Sequence, residues 1–128
     1  MTTWTFKIFL KKNADKTINV IDEWLEEQPP KAQARIRAII NYLKITQAWP
    51  IQYFKQYRGH PYIYEIIIKC GNIQYRPLGC FGPGENEFTL LIGAKEKGDR
   101  IEPASAPDTA EERRELILKD RSYIDDFI

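Results

Sequence analysis

With 128 residues, 43% of them hydrophobic and 29% charged, the chain has the size and composition of a single folded domain spanning residues 1–128. Its apolar runs are too short to cross a membrane and its N-terminus lacks a signal-peptide pattern, which predicts a cytosolic protein. The net charge of +1 divides unevenly, with fifteen basic and ten acidic residues up to residue 100 but four basic and eight acidic after it. A surface that binds nucleic acid would therefore be local.

The first half of the chain predicts one strand followed by two helices. Bulky and polar residues alternate over residues 4–10, which is the period of a half-buried strand. Asn13 or Asp15 is suited to cap a helix that runs to about Glu27. A second helix begins at Pro30, where apolar residues recur every three or four positions. Two helices with a short break between them predict a helical hairpin.

The second half predicts four strands. Residues 51–58 are weakly strand-like, whereas residues 62–70 and 73–81 are rich in β-forming residues and flank a tight Gly71-Asn72 turn. Residues 88–94 are almost continuously apolar, which is typical of a central strand.

A closing helix follows an irregular segment over residues 98–107. Thr109 and Glu112 form a capping box for a helix that reaches about Asp120, and residues 123–128 either pack or fray. The element order β-α-α-β-β-β-β-α predicts an α+β fold. We expect a small antiparallel or mixed sheet, an N-terminal helical hairpin packed against it, and a closing C-terminal helix.

The Gly71-Asn72 turn determines which residues of the hairpin lie opposite each other. If it is a two-residue turn, opposed residues have numbers that sum to 143, so Arg76 faces Ile67 and lies diagonally across from Glu65. Alternation places Glu65, Arg76 and Lys69 on the sheet face that points away from the helices. This pair is either a candidate site or a cross-strand ion pair, which contributes little at an exposed position.

Further cations are expected around this pair. Lys95 and Lys97 end the strand that follows the hairpin, and positive charge beside Arg76 would suit a ligand rich in phosphate. The candidates for binding nucleic acid are cationic residues and one histidine of the strands and turns: Arg58, His60, Lys69 and Lys97. The alternative is that these residues only keep strand ends and turns soluble, and that His60 is an ordinary solvated turn residue.

Cysteine and histidine usage gives little sign of covalent or metal chemistry. Cys70 and Cys80 lie too far apart along the predicted hairpin for a disulfide, so we expect free thiols. One histidine and no CxxC spacing predict neither a metal site nor a cofactor. We expect Trp24 and Trp49 to pack in the core or at its rim.

Several local phrases resemble one protein family. The phrase YRGHPYIYEIII follows the helical hairpin, and a strand with Tyr75-Arg76 and an apolar strand ending in Lys95-Glu96-Lys97 come after it. Over residues 31–118 the chain resembles the RelE/HigB/ParE superfamily of bacterial and phage toxins, and more narrowly the phage-derived Gp49-like HigB group.

The resemblance implies a RelE-like fold and a metal-independent ribonuclease that cleaves mRNA on the ribosome. Arg76 matches the arginine of the family's Tyr-Arg strand, Lys95 matches the first lysine of its basic segment, and Glu65 falls in its (W/Y)E phrase. These three residues are the catalytic candidates. Glu96 stands where a second basic residue is usual, and Pro77 after Arg76 indicates an edge or a bulge. The implied partner is a helix-turn-helix antitoxin that covers the toxin in a hetero-oligomer.

Two other readings remain open from the sequence. The chain could be a non-catalytic binding protein on the same fold, either a ParE-like gyrase inhibitor or a decayed phage-derived protein. Glu96 and the missing match to the family's C-terminal tyrosine or histidine favour this. The chain could also be an α+β domain unrelated to toxins.

Overall fold

The computed structural model describes residues 3–128, and within that range the protein is a mixed α+β fold with three α-helices. The strands are β1 (Thr5–Asn13), β2 (Lys16–Asn19), β3 (Phe54–Gln56), β4 (Tyr64–Ile66), β5 (Ile68–Cys70), β6 (Ile73–Tyr75), β7 (Leu78–Phe81), β8 (Glu87–Ile92), β9 (Lys95–Lys97), β10 (Arg100–Glu102) and β11 (Ile124–Asp126). The helices are α1 (Val20–Glu26), α2 (Pro30–Lys44) and α3 (Ala106–Lys119).

The strands form two sheets, and the chain passes directly from one sheet to the other between β4 and β5, between β6 and β7, and between β8 and β9. The first has the order β11-β1-β8-β7-β4-β3, with β2 paired to β1, and the second has the order β10-β9-β6-β5. Pairing is antiparallel except between β1 and β8, which are parallel. The prediction of an α+β fold with a mostly antiparallel sheet is confirmed. None of the described helices is long and apolar enough to span a membrane.

The predicted start of the first helix was wrong. The chain continues beyond the first strand into a β1–β2 hairpin, with Ala14 at a φ of 55° in its turn. The helix begins only at Val20, because the Asn19 side chain accepts hydrogen bonds from the backbone N–H groups of Ile21 at 3.1 Å and Asp22 at 2.9 Å. The cap therefore lies several residues beyond the predicted Asn13 or Asp15.

The second helix is confirmed, since α2 begins at Pro30. The closing helix begins at Ala106, so Thr109 lies inside it and the predicted capping box does not form. Part of the segment predicted to be irregular forms β10, which pairs with β9 across a turn at Gly98 with a φ of 64°. The C-terminus packs as β11 against β1.

The hairpin register is confirmed on both sides of an interruption. Pairs in β5–β6 and in β4–β7 all sum to 143, for example Ile68 with Tyr75 and Glu65 with Leu78. At the level between them, the backbone N–H of Ile67 donates to the carbonyl of Tyr53 and that of Arg76 donates to Ala94. Both predicted hairpin strands are thus interrupted at one level, which we call the break. Pro77 follows Arg76 at this break, where a residue without an N–H group is tolerated.

Helices cover both faces of the first sheet. One core cluster lies under α1 and α2 and includes Phe6, Ile36, Ile66 and Phe88. A second lies under α3. It joins helix residues Ala106, Ala110 and Ile117 to sheet residues Leu78, Cys80 and Leu91. The expectation that this sheet face points away from the helices was therefore wrong over this part, because the apolar side of α3 packs on it.

The C-terminal segment is attached to the sheet by ion pairs as well as by β11. Lys7 contacts Asp126 at 2.6 Å, and Arg121 contacts Glu87 at 3.0 Å. Burial alone would raise the pKa of Glu87, but hydrogen bonds from Arg121 and from the backbone N–H of Gly84 outweigh it and lower the pKa below its usual value.

Candidate functional site

At the break in the hairpin, Arg76 lies between two carboxylates. Its Nη1 donates a hydrogen bond to Oε1 of Glu65, and its Nη2 lies 2.8 Å from Oε2 of Glu96. Its Nε donates to the side-chain oxygen of Gln74 at 3.1 Å. The hairpin register predicted that Glu65 and Arg76 would meet, and they do. The contact with Glu96 comes from the pairing of Gln74 with Glu96 across β6 and β9.

The two carboxylates differ in how firmly they are held. The Glu65 side chain is only 4% exposed, and besides Arg76 it lies 4.0 Å from the Nζ of Lys55, its cross-strand neighbour. Glu96 is 27% exposed, yet its buried Oε2 has no hydrogen-bond partner, since its contact with Arg76 falls outside hydrogen-bonding geometry. Glu65 therefore anchors the guanidinium, whereas Glu96 keeps an oxygen free of hydrogen bonds beside it.

A small cavity of about 100 Å³ opens onto this group. Its lining residues come from the β3–β4 turn, β4, the break and the β9–β10 hairpin: Tyr57, Glu65, Arg76, Glu96, Asp99, Arg100 and Ile101. Burial, and after it the charge of Glu65, raises the pKa of the Tyr57 phenol, while the charge of Arg76 acts in the opposite direction. A cavity of this size holds one group as small as a phosphate but no nucleoside, for which pockets of roughly 300 Å³ or more are usual.

Lys95 and Lys97 were expected beside Arg76, and this placement was wrong. Lys95 pairs with Tyr75 across β6 and β9, and its Nζ lies 5.9 Å from the centre of the Tyr75 ring. Because side chains alternate along a strand, Lys95 projects to the face opposite Glu96. The Lys97 side chain is 82% exposed, and its nearest acidic partner is Glu102 at 4.0 Å. The residue that β9 supplies to Arg76 is an acid.

The remaining candidates lie around this site at different distances. Lys69 is exposed and pairs with Gln74, so it shares a sheet face with Glu96 at the outer edge of the second sheet. Arg58 is exposed in the turn after β3. His60, in the same turn, is directed at α3, where its Nδ1 lies 3.0 Å from Oε1 of Glu111.

Sequence reasoning did not place five of the seven residues that line the cavity: Tyr57, Glu96, Asp99, Arg100 and Ile101. Tyr57 belongs to a segment whose strand pattern is weak, and Glu96 was recognised only as a departure from a basic motif. The signal that could have placed Glu96 is the alternation along β9, read together with the cross-strand partner of Gln74. That partner cannot be counted from the sequence, because the connection between β7 and β8 has no tight turn that fixes its register.

No protein-family model matches this chain, and neither a curated protein nor a solved structure matches it. The resemblance to toxins therefore depends on the residues themselves.

Proposed function

We propose that this protein is a toxin-like RNA endonuclease of the RelE/HigB/ParE superfamily, in the Gp49-like HigB group, and that it cleaves mRNA on the ribosome in the cytoplasm. The observation that supports this best is the arrangement at the break in the hairpin. There Arg76 is anchored by buried Glu65, and a carboxylate oxygen of Glu96 without a hydrogen bond lies 2.8 Å from the guanidinium. A base next to a phosphate-binding cation is what metal-independent RNA cleavage requires.

The proposed reaction begins at the 2′-hydroxyl of the RNA. Glu96 accepts its proton, the 2′ oxygen attacks the adjacent phosphorus, and the bond from phosphorus to the 5′ oxygen of the next nucleotide breaks. The products are a 2′,3′-cyclic phosphate and a new 5′-hydroxyl. Arg76 binds the non-bridging oxygens and stabilises their increasing negative charge. Tyr57 lines the cavity with a protonated phenol and is the candidate acid for the departing 5′ oxygen.

In this scheme the cavity receives the scissile phosphate alone, and the flanking nucleotides lie across the surface. The exposed cations Arg58, Lys69 and Lys97 are proposed to contact neighbouring phosphates. The resting partner is proposed to be a helix-turn-helix antitoxin.

Two variants at the site and one control variant test the proposal in cells. Wild-type expression is expected to arrest growth and cut mRNA. Glu96→Gln removes the base and should slow cleavage by about 10²–10⁴-fold. Arg76→Lys keeps a charge beside Glu65 but loses the fork-shaped donor set, and should slow cleavage by about 10²–10³-fold. Arg35→Lys, an exposed arginine on α2, is the matched control. Full toxicity in Arg76→Lys and Glu96→Gln would refute the site.

A second function is favoured by the charge of the cavity. Two cations, Arg76 and Arg100, face three carboxylates there, Glu65, Glu96 and Asp99. Such a balance disfavours an anionic phosphate and suits a non-catalytic protein that binds a target such as gyrase or pairs with an antitoxin. DNA damage without RNA cuts after expression would identify the gyrase target, and growth arrest with neither would identify another protein target.

A further inference from the structure

A second group of chemically active side chains lies where the β3–β4 turn meets the first turns of α3. It consists of His60, Asp108 and Glu111, each offering one donor atom, and these three atoms all lie within 4.8 Å of one another. Asp108 and Glu111 are three residues apart on α3, so they share one face of that helix. The closest contact joins Nδ1 of His60 to Oε1 of Glu111 at 3.0 Å.

The imidazole is held in place, yet its inward nitrogen is left without a hydrogen bond. The backbone N–H of His60 donates to the carbonyl of Tyr57, and its own carbonyl accepts from Ile63. The ring also packs edge-on against Tyr57, with 5.6 Å between ring centres. Nδ1 is buried and has no hydrogen-bond partner, because Glu111 lies off its hydrogen-bonding direction. A buried nitrogen without a hydrogen bond is able to bind a ligand, and imidazole nitrogen is a common ligand of metal ions.

We propose that His60, Asp108 and Glu111 form a binding site for a divalent transition-metal ion, with Zn²⁺ the ion that fits best. Two carboxylates balance the charge of the ion, and one nitrogen with two oxygens is a ligand set that Zn²⁺ accepts. With metal–ligand distances of about 2.1 Å, donors in a tetrahedral site lie about 3.4 Å apart. The observed donor separations reach from 3.0 Å to within 4.8 Å, so small side-chain rotations complete the site.

The surroundings leave room for the rest of the coordination shell. The two carboxylates face solvent, and an open cleft of about 600 Å³ lies beside Asp108 and Glu111. The nearby cation, Arg114, stacks on the ring of Tyr62 at 4.3 Å. Water or a ligand can therefore occupy the remaining positions on the ion. This site shares no ligand residue with the Arg76 cavity, although the His60 ring packs against Tyr57, which lines that cavity. The proposal does not depend on the proposed RNA cleavage.

The test uses the full chain without an affinity tag, freed of metal by a chelator, and titrated with ZnCl₂ and in parallel with MnCl₂. Isothermal titration calorimetry is expected to show one Zn²⁺ per chain. His60 is the single histidine of the sequence, so its ring signals in a ¹H–¹⁵N spectrum report directly on the site. They are expected to shift with the same stoichiometry.

Variants separate this site from adventitious binding. His60→Ala and the double variant Asp108→Asn with Glu111→Gln should each weaken Zn²⁺ binding at least about tenfold. Glu112→Gln, a neighbouring carboxylate of the same cleft outside the cluster, should leave binding within about threefold; circular dichroism checks that each variant is folded. Unmoved His60 ring signals, affinity weaker than about 1 mM, or binding that survives His60→Ala in a folded variant would each overturn the proposal.

Discussion

The buried pair of Arg76 and Glu65 makes a sharp prediction about stability. Replacing Arg76 by methionine keeps most of the side-chain volume but removes the hydrogen-bonded partner of a carboxylate that is 4% exposed. Stranding one charge of a buried pair costs about 3–5 kcal/mol. Lys55 offers little compensation, because it is 4.0 Å away and half exposed. Arg76 is itself 17% exposed, which lets some water reach the carboxylate, so we expect a loss of about 3 kcal/mol.

The second half of this prediction is a double-mutant cycle. Replacing Glu65 by methionine in the Arg76→Met background removes the more deeply buried of the two carboxylates that lost the guanidinium, Glu96 being 27% exposed. An apolar pair of similar volume is often about as stable as the ion pair it replaces. The double variant should therefore regain at least about 2 kcal/mol over Arg76→Met alone. Urea unfolding of wild type, Arg76→Met, Glu65→Met and the double variant at pH 7 gives the coupling energy. Arg35→Met, at an exposed arginine of α2, should stay within about 0.5 kcal/mol of wild type.

Two results would refute this reasoning. An Arg76→Met variant within about 1 kcal/mol of wild type would mean that Glu65 is not stranded by the change. Additive effects of the two substitutions would mean that the pair is not coupled.

Three further predictions concern packing, thiol chemistry and acid stability. Gly93→Ala should lower the free energy of unfolding in urea by at least about 2 kcal/mol, because the added Cβ would lie 2.0 Å from the ring of Trp24. A loss below about 1 kcal/mol would show that the ring moves aside freely. Burial raises the pKa of the Cys80 thiol to about 12, so at pH 8 iodoacetamide should modify the partly exposed Cys70 first, as read by mass spectrometry, and equal rates would contradict the burial. The pKa of Glu87 is lowered in the folded protein, so its ionised carboxylate stabilises the fold at pH values above its unfolded-state pKa. This stabilisation is lost as the pH falls through the folded-state pKa, so wild type should lose more stability than Glu87→Gln between about pH 5 and pH 3. Equal losses would contradict this.

The hairpin was predictable because its turn is short. Gly71, with a φ of 63°, fixes the pairing of the strands on either side, and the register then brings Arg76 to Glu65 without further information. Helix α2 was predictable for a similar local reason, since proline at its start and a regular apolar stripe agree.

Features that depend on tertiary packing could not be read in the same way. The stretch from Lys16 to Asn19 continues a hairpin rather than beginning a helix, because pairing with β1 overrides its helical periodicity. Helix α3 covers the face of the first sheet opposite to α1 and α2, and this packing depends on contacts between residues far apart in the chain. Long-range pairing also explains why Glu96, and not Lys95, lies beside Arg76, since this pairing sets the alignment of β9 with β6.

The site around Arg76 was thus half predictable. One partner, Glu65, follows from local register, whereas Glu96 and Tyr57 arrive from distant segments. The resemblance to toxins predicts a cation that binds phosphate at this position. The geometry adds the carboxylate that such a cation needs beside it for the proposed chemistry.

The proposal of RNA cleavage is tested most directly by mapping RNA ends after brief expression in bacterial cells. Wild-type protein and Arg35→Lys are predicted to produce new 5′-hydroxyl ends within translated mRNA, at positions set by the reading frame. Glu96→Gln and Arg76→Lys, at equal expression and with native circular dichroism, are predicted to leave mRNA intact. Growth arrest without new RNA ends, or the same ends with Glu96→Gln as with wild type, would contradict the proposed reaction.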